Sequence, residues 1–195
     1  MKLPTKILAL LAAASALSAA AQAAVETYTI DPVHSSVGFS VRHFLTKVPG
    51  RFTQFSGTIV VDRDNLENST VNATIQVGSV DTDNDKRNAH LKSPDFFDAA
   101  KFGTITFVSK SWKKTGDAMF DVTGDLTIHG ITKEVVLKVD LIGFGPGMMG
   151  AQLSGWDASV TLNREDFGVN GPAVLGKALG SEVGVSITVE ADLKK

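Results

Sequence analysis

The chain has 195 residues, a formal net charge of −2 at pH 7 and no cysteine. This length is typical of one domain and is sufficient for a substantial hydrophobic core. The mildly acidic balance gives no electrostatic reason to bind nucleic acid or an anionic membrane, and the lack of cysteine excludes thiol catalysis and thiolate zinc sites.

The first residues are typical of a secretory signal peptide. Two lysines among the first six residues precede an apolar run at 7–14, and Ala21–Ala23 matches the A-x-A cleavage pattern. We expect residues 1–23 to be cleaved, which leaves one domain at residues 24–195. Such an export signal indicates a periplasmic protein, with secretion from the cell as the alternative. No later run reaches the roughly 20 apolar residues that a spanning helix needs.

Alternation of apolar and polar residues dominates the rest of the chain and predicts half-buried β-strands. The candidate strands, in chain order, lie at residues 28–30, 36–42, 52–61, 70–77, 105–107, 120–128, 135–141, 156–162 and 183–189. Short connections separate several of them, at Asp64-Asn65, Thr115-Gly116 and His129-Gly130. The last pair predicts a two-residue hairpin turn, because Gly accepts a positive φ and His tolerates one. The pattern predicts an all-β fold, an antiparallel barrel of about eight strands, since closure removes exposed edges.

Two segments interrupt the strand pattern. Residues 84–102, NDKRNAHLKSPDFFDAAKF, are expected to begin with a short helix. Thr82 and Asp85 fit a capping box at its start, and Pro94 would end it. Asn170–Ser181 is expected to be a loop or a fragment of helix. The prediction is therefore a barrel with one short inserted helical segment and a long loop before the last strand.

Three local patterns resemble functional motifs but lack a required feature. Asp81–Asp85 begins like a calcium loop, yet Lys86 and Lys92 stand where that loop needs Gly and Glu. Gly145–Gly150 matches G-x-G-x-x-G, but Pro146 lies inside it and a strand follows, which favours a hairpin loop. The histidines, none of which lies at a zinc-ligand spacing, are His34, His43, His90 and His129. We predict no metal site, and no catalytic residue set is indicated.

The aromatic composition is more informative. Eleven Phe stand against one Tyr and two Trp, and Phe adds large apolar area without a polar group. These rings fit two arrangements, because a barrel of about eight strands either fills itself with side chains or holds one small ligand.

Four segments resemble the YceI-like family of periplasmic, lipocalin-like polyisoprenoid-binding proteins. They are residues 28–62 (YTIDPVHSSVGFSVRHFLTKVPGRFTQFSGTIVVD), 79–111 (SVDTDNDKRNAHLKSPDFFDAAKFGTITFVSKS), 122–140 (VTGDLTIHGITKEVVLKVD) and 161–169 (TLNREDFGV). The segments fall in order and extend over nearly all of the predicted mature chain.

The resemblance implies an extended antiparallel barrel with a hydrophobic tunnel, no cofactor and no transferable catalytic set. The implied ligand is a long isoprenoid, such as a quinone tail or a polyprenyl phosphate, or a similar amphiphile. A homodimer and a membrane quinone protein are the implied macromolecular partners. The chain departs from the family pattern at Asn88, where Asp is usual, and at Gly103, where Pro is frequent. The first change would alter a local ion pair.

A flexible isoprenoid tail needs a long channel lined by apolar side chains. The residues expected to line it are Phe39, Val41, Phe44, Phe52, Phe55, Val71, Ile75, Phe107 and Phe120, with Leu91, Phe96 and Phe97 closing one end. The expected contacts to a polar head group are Arg42, His43, Arg51, Arg87 and His90, since Arg bonds a phosphate bidentately. In the alternative interpretation these cations are structural and pair with Asp81, Asp95 or Asp98.

The leading functional hypothesis is thus a binding and carrier protein for an isoprenoid lipid, not an enzyme. Two alternatives remain at this point. One is an enzyme that acts on such a lipid or on a small ester. The other is a stress-related interaction protein whose barrel is filled by its own side chains.

Overall fold

The computed structural model describes residues 25–194, so the predicted signal peptide lies outside the described residues. The eleven strands are β1 (Val25–Ile30), β2 (Ser36–His43), β3 (Thr46–Phe52), β4 (Phe55–Asp62), β5 (Thr70–Gln76), β6 (Val80–Asp81), β7 (Thr104–Lys114), β8 (Met119–Ile128), β9 (Ile131–Pro146), β10 (Gln152–Asn163) and β11 (Leu179–Leu193). One α-helix, α1, extends over Asp85–Lys92. Short 3-10 turns occupy Leu66–Asn68, Val77–Ser79, Met148–Gly150, Arg164–Phe167 and Ala173–Ala178. Within residues 25–194, no helix is long and apolar enough to cross a membrane.

The strands form one antiparallel sheet that closes on itself. β1 and β2 follow each other along one wall, since both pair with β11, and β1 also pairs with β4. Tyr28 marks the closure, because it lies opposite Leu193 on one side and Ile59 on the other. The remaining neighbours run through β5, β7, β8, β9 and β10. The predicted eight-stranded antiparallel barrel with one short helix is confirmed.

Strand β3 was not predicted, and the predicted strand at 52–61 is divided in two. Pro49 and Gly50 inside β3 are residues that normally weaken a strand. β3 nevertheless pairs with β2 from His43 opposite Thr46 to Val37 opposite Phe52. On its other side only Arg51 and Phe52 pair, with β6. β3 is therefore largely an edge strand, where the missing N–H of Pro49 is tolerated.

Two of the predicted turns can be compared directly with the structure. His129 and Gly130 link β8 to β9 with φ values of 52° and 74°, and they form the predicted two-residue turn. The Thr115-Gly116 turn is longer than predicted and covers residues 115–118. The N–H groups of Thr115 and Gly116 both donate to the Met119 carbonyl, and this closes the loop before β8 begins.

The inserted helix is capped by a different residue from the one predicted. The side chain of Asn84, with extended backbone, accepts a hydrogen bond from the Arg87 N–H at 3.0 Å. Thr82 instead is buried and donates its hydroxyl to the Asn88 side chain at 2.7 Å. The Asn88 amide group also donates to Asp81 at 3.1 Å. The amide at position 88 therefore links α1 to β6 by hydrogen bonds, where a carboxylate could only accept.

A cluster of aromatic residues closes the barrel at the end opposite α1. This floor consists of Tyr28, Trp112, Phe120, Phe144 and Trp156. Their neighbouring ring centroids lie 5.5 to 5.9 Å apart in tilted or edge-to-face pairs, the geometry that aromatic quadrupoles favour. The Arg63 guanidinium lies 3.7 Å from the centroid of Phe144. The floor packs across one end of the barrel, and α1 lies at the other end.

Candidate functional site

A cavity of about 460 Å³ occupies the barrel between the floor and α1. Its lining is almost wholly apolar and comes from the inward faces of the strands. The predicted tunnel residues that lie on this lining are Phe39, Val41, Phe52, Phe55, Val71, Ile75, Leu91, Phe96, Phe97 and Phe107. The inward alternation of β2, β4, β5 and β7 supplies six of these side chains. Phe52 comes from the end of β3, and Leu91, Phe96 and Phe97 come from α1 and the loop that follows it.

Two predicted tunnel residues do not line the cavity. Phe44 lies in the turn between β2 and β3 with a φ of 49°, and its side chain is 64% exposed. The alternation of β2 stops at this turn, so Phe44 does not continue the inward face. Phe120 is buried, but it packs on Trp112 in the floor, beneath the cavity. Alternation assigned Phe120 to the correct face and could not assign its height along the barrel.

The prediction also missed most of the lining because it was centred on Phe. Small and branched residues of β8 to β11 complete the wall, namely Val122, Leu126, Leu137, Val139, Ala158, Val160, Leu162, Val183, Val185, Ile187 and Val189. The same period-two pattern that predicted the strands contained this information. Trp112 and Trp156 form the bottom of the lining, and their indole Nε1 atoms are buried without a hydrogen-bond partner among the described residues.

The segment after α1 folds back over the end of the barrel. The Phe97 N–H donates to the Leu91 carbonyl at 3.0 Å, and the Phe97 ring meets Phe52 edge-on at 6.0 Å. Phe96 is buried and packs against Gly171 of the loop before β11. Gly171 has a φ of 73°, and a Cβ there would lie 2.7 Å from the Phe96 ring. Two separate loops thus meet at Phe96 and partly cover the cavity.

The predicted head-group residues divide into two sets. His43, Arg87 and His90 lie on the cavity lining and are exposed, which places the opening of the cavity at the α1 end. Arg42 and Arg51 are exposed and do not lie on the lining. Arg51 donates to Asp83 at 2.9 Å and to Asp81 at 2.5 Å, and these bonds raise the pKa of Arg51. These bonds connect β3 to the start of the inserted segment, and the pair with Asp81 is one that the alternative interpretation named.

Arg87 and His90 each combine a structural contact with a position on the lining. Arg87 donates through Nε to the Thr82 hydroxyl at 2.8 Å and through Nη2 to the Thr82 carbonyl at 2.7 Å. His90 Nε2 lies 2.7 Å from an Asp95 carboxylate oxygen, and its ring meets Phe96 edge-on. These bonds hold the inserted segment together, and a contact with a ligand head group remains a prediction for both residues.

Arg164 is a lining residue that the sequence interpretation missed. Its side chain is only 10% exposed and donates to the carbonyls of Gly180 at 2.8 Å and Val169 at 2.7 Å. Its other end pairs with Glu165 at 3.2 Å. Arg164 thereby fixes the loop before β11 beside the cavity opening. The sequence shows only a single Arg beside two acids, which is a weak signal. The carbonyl partners of Arg164 depend on the conformation of the loop, and the sequence pattern does not reveal it.

The structure also brings one histidine close to two carboxylates, which no spacing in the sequence indicated. His34 Nδ1 lies 2.5 Å from Asp31 and 3.8 Å from Glu190, in the break between β1 and β2. The Asp31 hydrogen bond raises the pKa of His34 and lowers that of Asp31. The three ligand atoms lie within 4.8 Å of one another. None of the three residues lines the cavity, and the Val33 N–H also donates to Asp31, so the group stabilises the strand break.

Comparison with known proteins identifies the family. The profile of the YceI-like domain matches residues 28–191. A UPF0312 protein of Pseudomonas syringae pv. tomato is 37% identical over 193 residues, which cover 97% of this chain and 98% of that protein. The crystal structure of a Campylobacter jejuni YceI protein is 30% identical with a TM-score of 0.70, covering 77% of this chain and 88% of that chain.

A polyisoprenoid binding domain from Saccharophagus degradans has a TM-score of 0.66 and covers 86% of this chain and 98% of that chain. Its sequence identity of 15% shows a common fold alone. The profile match and the Pseudomonas relative each extend over most of the chain. The chain therefore belongs to the YceI-like domain family.

Proposed function

We propose that this protein binds a long isoprenoid lipid, a quinone tail or a polyprenyl phosphate, in its barrel and carries it through the periplasm. The observation that carries the proposal is the apolar cavity, closed by the aromatic floor and open at the α1 end. Water gains few hydrogen bonds on such a lining, so an apolar chain that displaces it is stabilised by the hydrophobic effect.

The distribution of polar groups supports a ligand with one polar end. Arg87, His90 and His43 border the opening, whereas the lower wall presents side chains such as Val122, Val139 and Ile187. An apolar tail fits the lower wall, and a phosphate or quinone oxygen fits the donors at the opening. The fold shared with the polyisoprenoid binding domain of S. degradans supports the same class of ligand. The predicted signal peptide supports the periplasmic location.

The cavity also bears on the two alternative functions. A pure interaction protein would have a barrel filled by its own side chains. This barrel instead encloses a cavity of about 460 Å³, which favours a ligand. For an enzyme, the nearest suggestion of acid–base chemistry is His90 with Asp95. Ser93 beside them donates its hydroxyl to the His90 carbonyl at 2.7 Å and thus is not a nucleophile activated by that ring. We therefore favour binding over catalysis, and we propose a membrane quinone protein as the source or acceptor of the ligand.

The test is identification of the molecules that co-purify with the protein from its native cells. The mature chain is purified without detergent from cells that contain their own isoprenoid lipids, and an organic extract is analysed by mass spectrometry. A long isoprenoid in about equimolar amount is expected. Protein that is consistently empty, and that also takes up no ubiquinone or polyprenyl phosphate on incubation, would refute the proposal.

A further inference from the structure

Exposed apolar side chains gather beside the cavity opening. Phe44 and Leu45 form the tip of the β2–β3 hairpin and are 64% and 96% exposed. Val174, in the 3-10 turn before β11, is 89% exposed. The Phe44 N–H donates to the Ala178 carbonyl at 2.8 Å, and this bond joins the hairpin tip to the turn. We call Phe44, Leu45 and Val174 the apolar rim.

The apolar rim is continuous with the cavity. His43, directly before the hairpin tip, lies on the lining, and so does Val48, the third residue after the turn. Leu175, the neighbour of Val174, lies on the lining as well. Each segment that carries a rim residue therefore also contributes to the wall of the opening.

The fold itself does not account for the rim. Phe44 has a φ of 49°, a region that bulky L-residues avoid and that Gly or Asn adopts more readily. The Phe44 ring meets the neighbouring His43 ring edge-on, with centroids 4.8 Å apart. A large apolar side chain in a strained turn, mostly in water, gains little from folding. Such a side chain would be stabilised by a partner outside the chain that covers it.

The charges around the hairpin tip indicate the chemistry of that partner. Arg42 and Lys47 lie opposite each other across the hairpin, and the segment 42–48 (RHFLTKV) contains no acidic residue. Within residues 25–194, neither cation takes part in an ion pair. Apolar side chains beside unpaired cations match the interface of an anionic phospholipid bilayer. The acidic residues Asp81, Asp95 and Glu165 also lie at this end of the barrel, but they pair with Arg51, His90 and Arg164.

We propose that the apolar rim docks on an anionic phospholipid bilayer, with Phe44, Leu45 and Val174 in the headgroup region and Arg42 and Lys47 at the phosphates. The inference rests on the proposed function, since docking would place the cavity opening against the phase in which an isoprenoid dissolves. The ligand could then enter or leave with little of its apolar surface in water.

The test is flotation of the mature chain with extruded vesicles. One set contains equal parts of phosphatidylcholine and phosphatidylglycerol, and the other contains phosphatidylcholine alone. The wild type is expected to float with the anionic vesicles, less so at high salt. The double variant Phe44→Gly/Leu45→Ser is expected to lose about tenfold or more in affinity. The matched control, Met148→Ser/Met149→Ser, removes an equally exposed apolar pair from the opposite end of the barrel and should float like the wild type.

Three results would overturn the docking proposal. They are a wild type that stays in the unfloated fraction, a rim variant that floats as well as the wild type, and a Met control that loses as much affinity as the rim variant. A rim covered by a second copy would appear as a dimer in sedimentation velocity that Phe44→Gly/Leu45→Ser dissociates, without vesicle binding. Circular dichroism confirms that the variant is folded. An empty organic extract with rim-dependent flotation would refute the lipid cargo and leave the docking surface standing.

Discussion

The indole rings of Trp112 and Trp156 meet edge-on, with centroids 5.5 Å apart and planes at 84°, at the boundary between cavity and floor. Trp112 comes from β7 and Trp156 from β10, so the contact spans the barrel. Both rings also pack on floor phenylalanines, Trp112 on Phe120 and Trp156 on Phe144. This pair forms the bottom of the cavity.

The first prediction concerns the aromatic ring of Trp156 and its contribution to the floor. Replacing Trp156 by Ala should lower the free energy of unfolding by about 3–5 kcal/mol, because it removes a buried ring that the floor cannot replace. Trp156→Phe keeps an aromatic ring and removes an indole N–H that has no partner among the described residues, so it should cost distinctly less. Urea unfolding measures both. Equal losses for the two variants would contradict the role of the ring in the floor.

The second prediction separates two phenylalanines that sequence alternation treated alike. Phe120→Ala should lower the free energy of unfolding by about 3–5 kcal/mol, since the side chain is 2% exposed. Phe44→Gly should stay within about 1 kcal/mol of the wild type, because the ring is exposed and Gly suits the positive φ. The same denaturation experiment compares them, and a large loss in Phe44→Gly would show that this ring supports the fold.

The third prediction tests the cavity as the ligand site. Ala158 lies on the lining and its neighbour Ser159 is exposed on the other face of β10. Ala158→Phe inserts a ring into the cavity and should weaken binding of a ubiquinone or polyprenyl phosphate probe about tenfold or more. Ser159→Phe adds the same ring outside and should leave affinity unchanged. Fluorescence titration measures both, with thermal unfolding as the folding control. Unchanged affinity in Ala158→Phe would show that the ligand binds outside the cavity.

The fourth prediction concerns the closure of the α1 end. Gly171→Ala should lower the free energy of unfolding by about 1–2 kcal/mol, because Ala is strained at a φ of 73° and its Cβ would meet the Phe96 ring. Hydrogen exchange should also become faster around residues 170–178. Gly78→Ala is the control, since nothing lies within 4 Å of a Cβ there and the position has no positive φ. A Gly171 variant as stable as the Gly78 variant would show that Phe96 moves aside freely.

The fifth prediction is a pH dependence at the break between β1 and β2. The Asp31 hydrogen bond raises the pKa of His34 above its ordinary 6.5. The stability that this bond gives the folded state through the charged His34 is lost as pH rises through the raised pKa. The same bond lowers the pKa of Asp31 below its ordinary 3.8. The stability that the ionised Asp31 contributes is lost as pH falls through the lowered pKa. The pair therefore contributes fully between about pH 3.8 and 6.5.

A proton NMR titration of the His34 ring checks this pair. Asp31→Asn should return the pKa of His34 toward its ordinary value. Glu190→Gln should shift it less, because Glu190 lies farther from the ring at 3.8 Å. A His34 pKa that does not respond to Asp31→Asn would remove the pair as the cause.

Several elements could be read from local pattern alone. The turn at His129-Gly130 follows from the conformational range of two residues, and most strands follow from alternation over four to eight residues. Strand β3 could not be predicted in this way, since Pro49 and Gly50 are tolerated only because β3 lies mostly at an edge. The helix was placed correctly. Its N-cap is Asn84 and not Thr82, because Asn84 has the extended backbone conformation that lets its side chain accept from the Arg87 N–H.

The sequence by itself determined the fold class, the apolar face of most strands and the resemblance to the YceI-like family, because each depends on residue types at short spacings. Only the tertiary structure decided which apolar residues enclose space. Phe39 faces the cavity, Phe120 fills the floor and Phe44 points outward, although all three are the same residue type. Height along the barrel, like the approach of His34 to Glu190, depends on the register of strands far apart in the chain. That register is fixed by the cooperative closure of the whole sheet and not by any local segment.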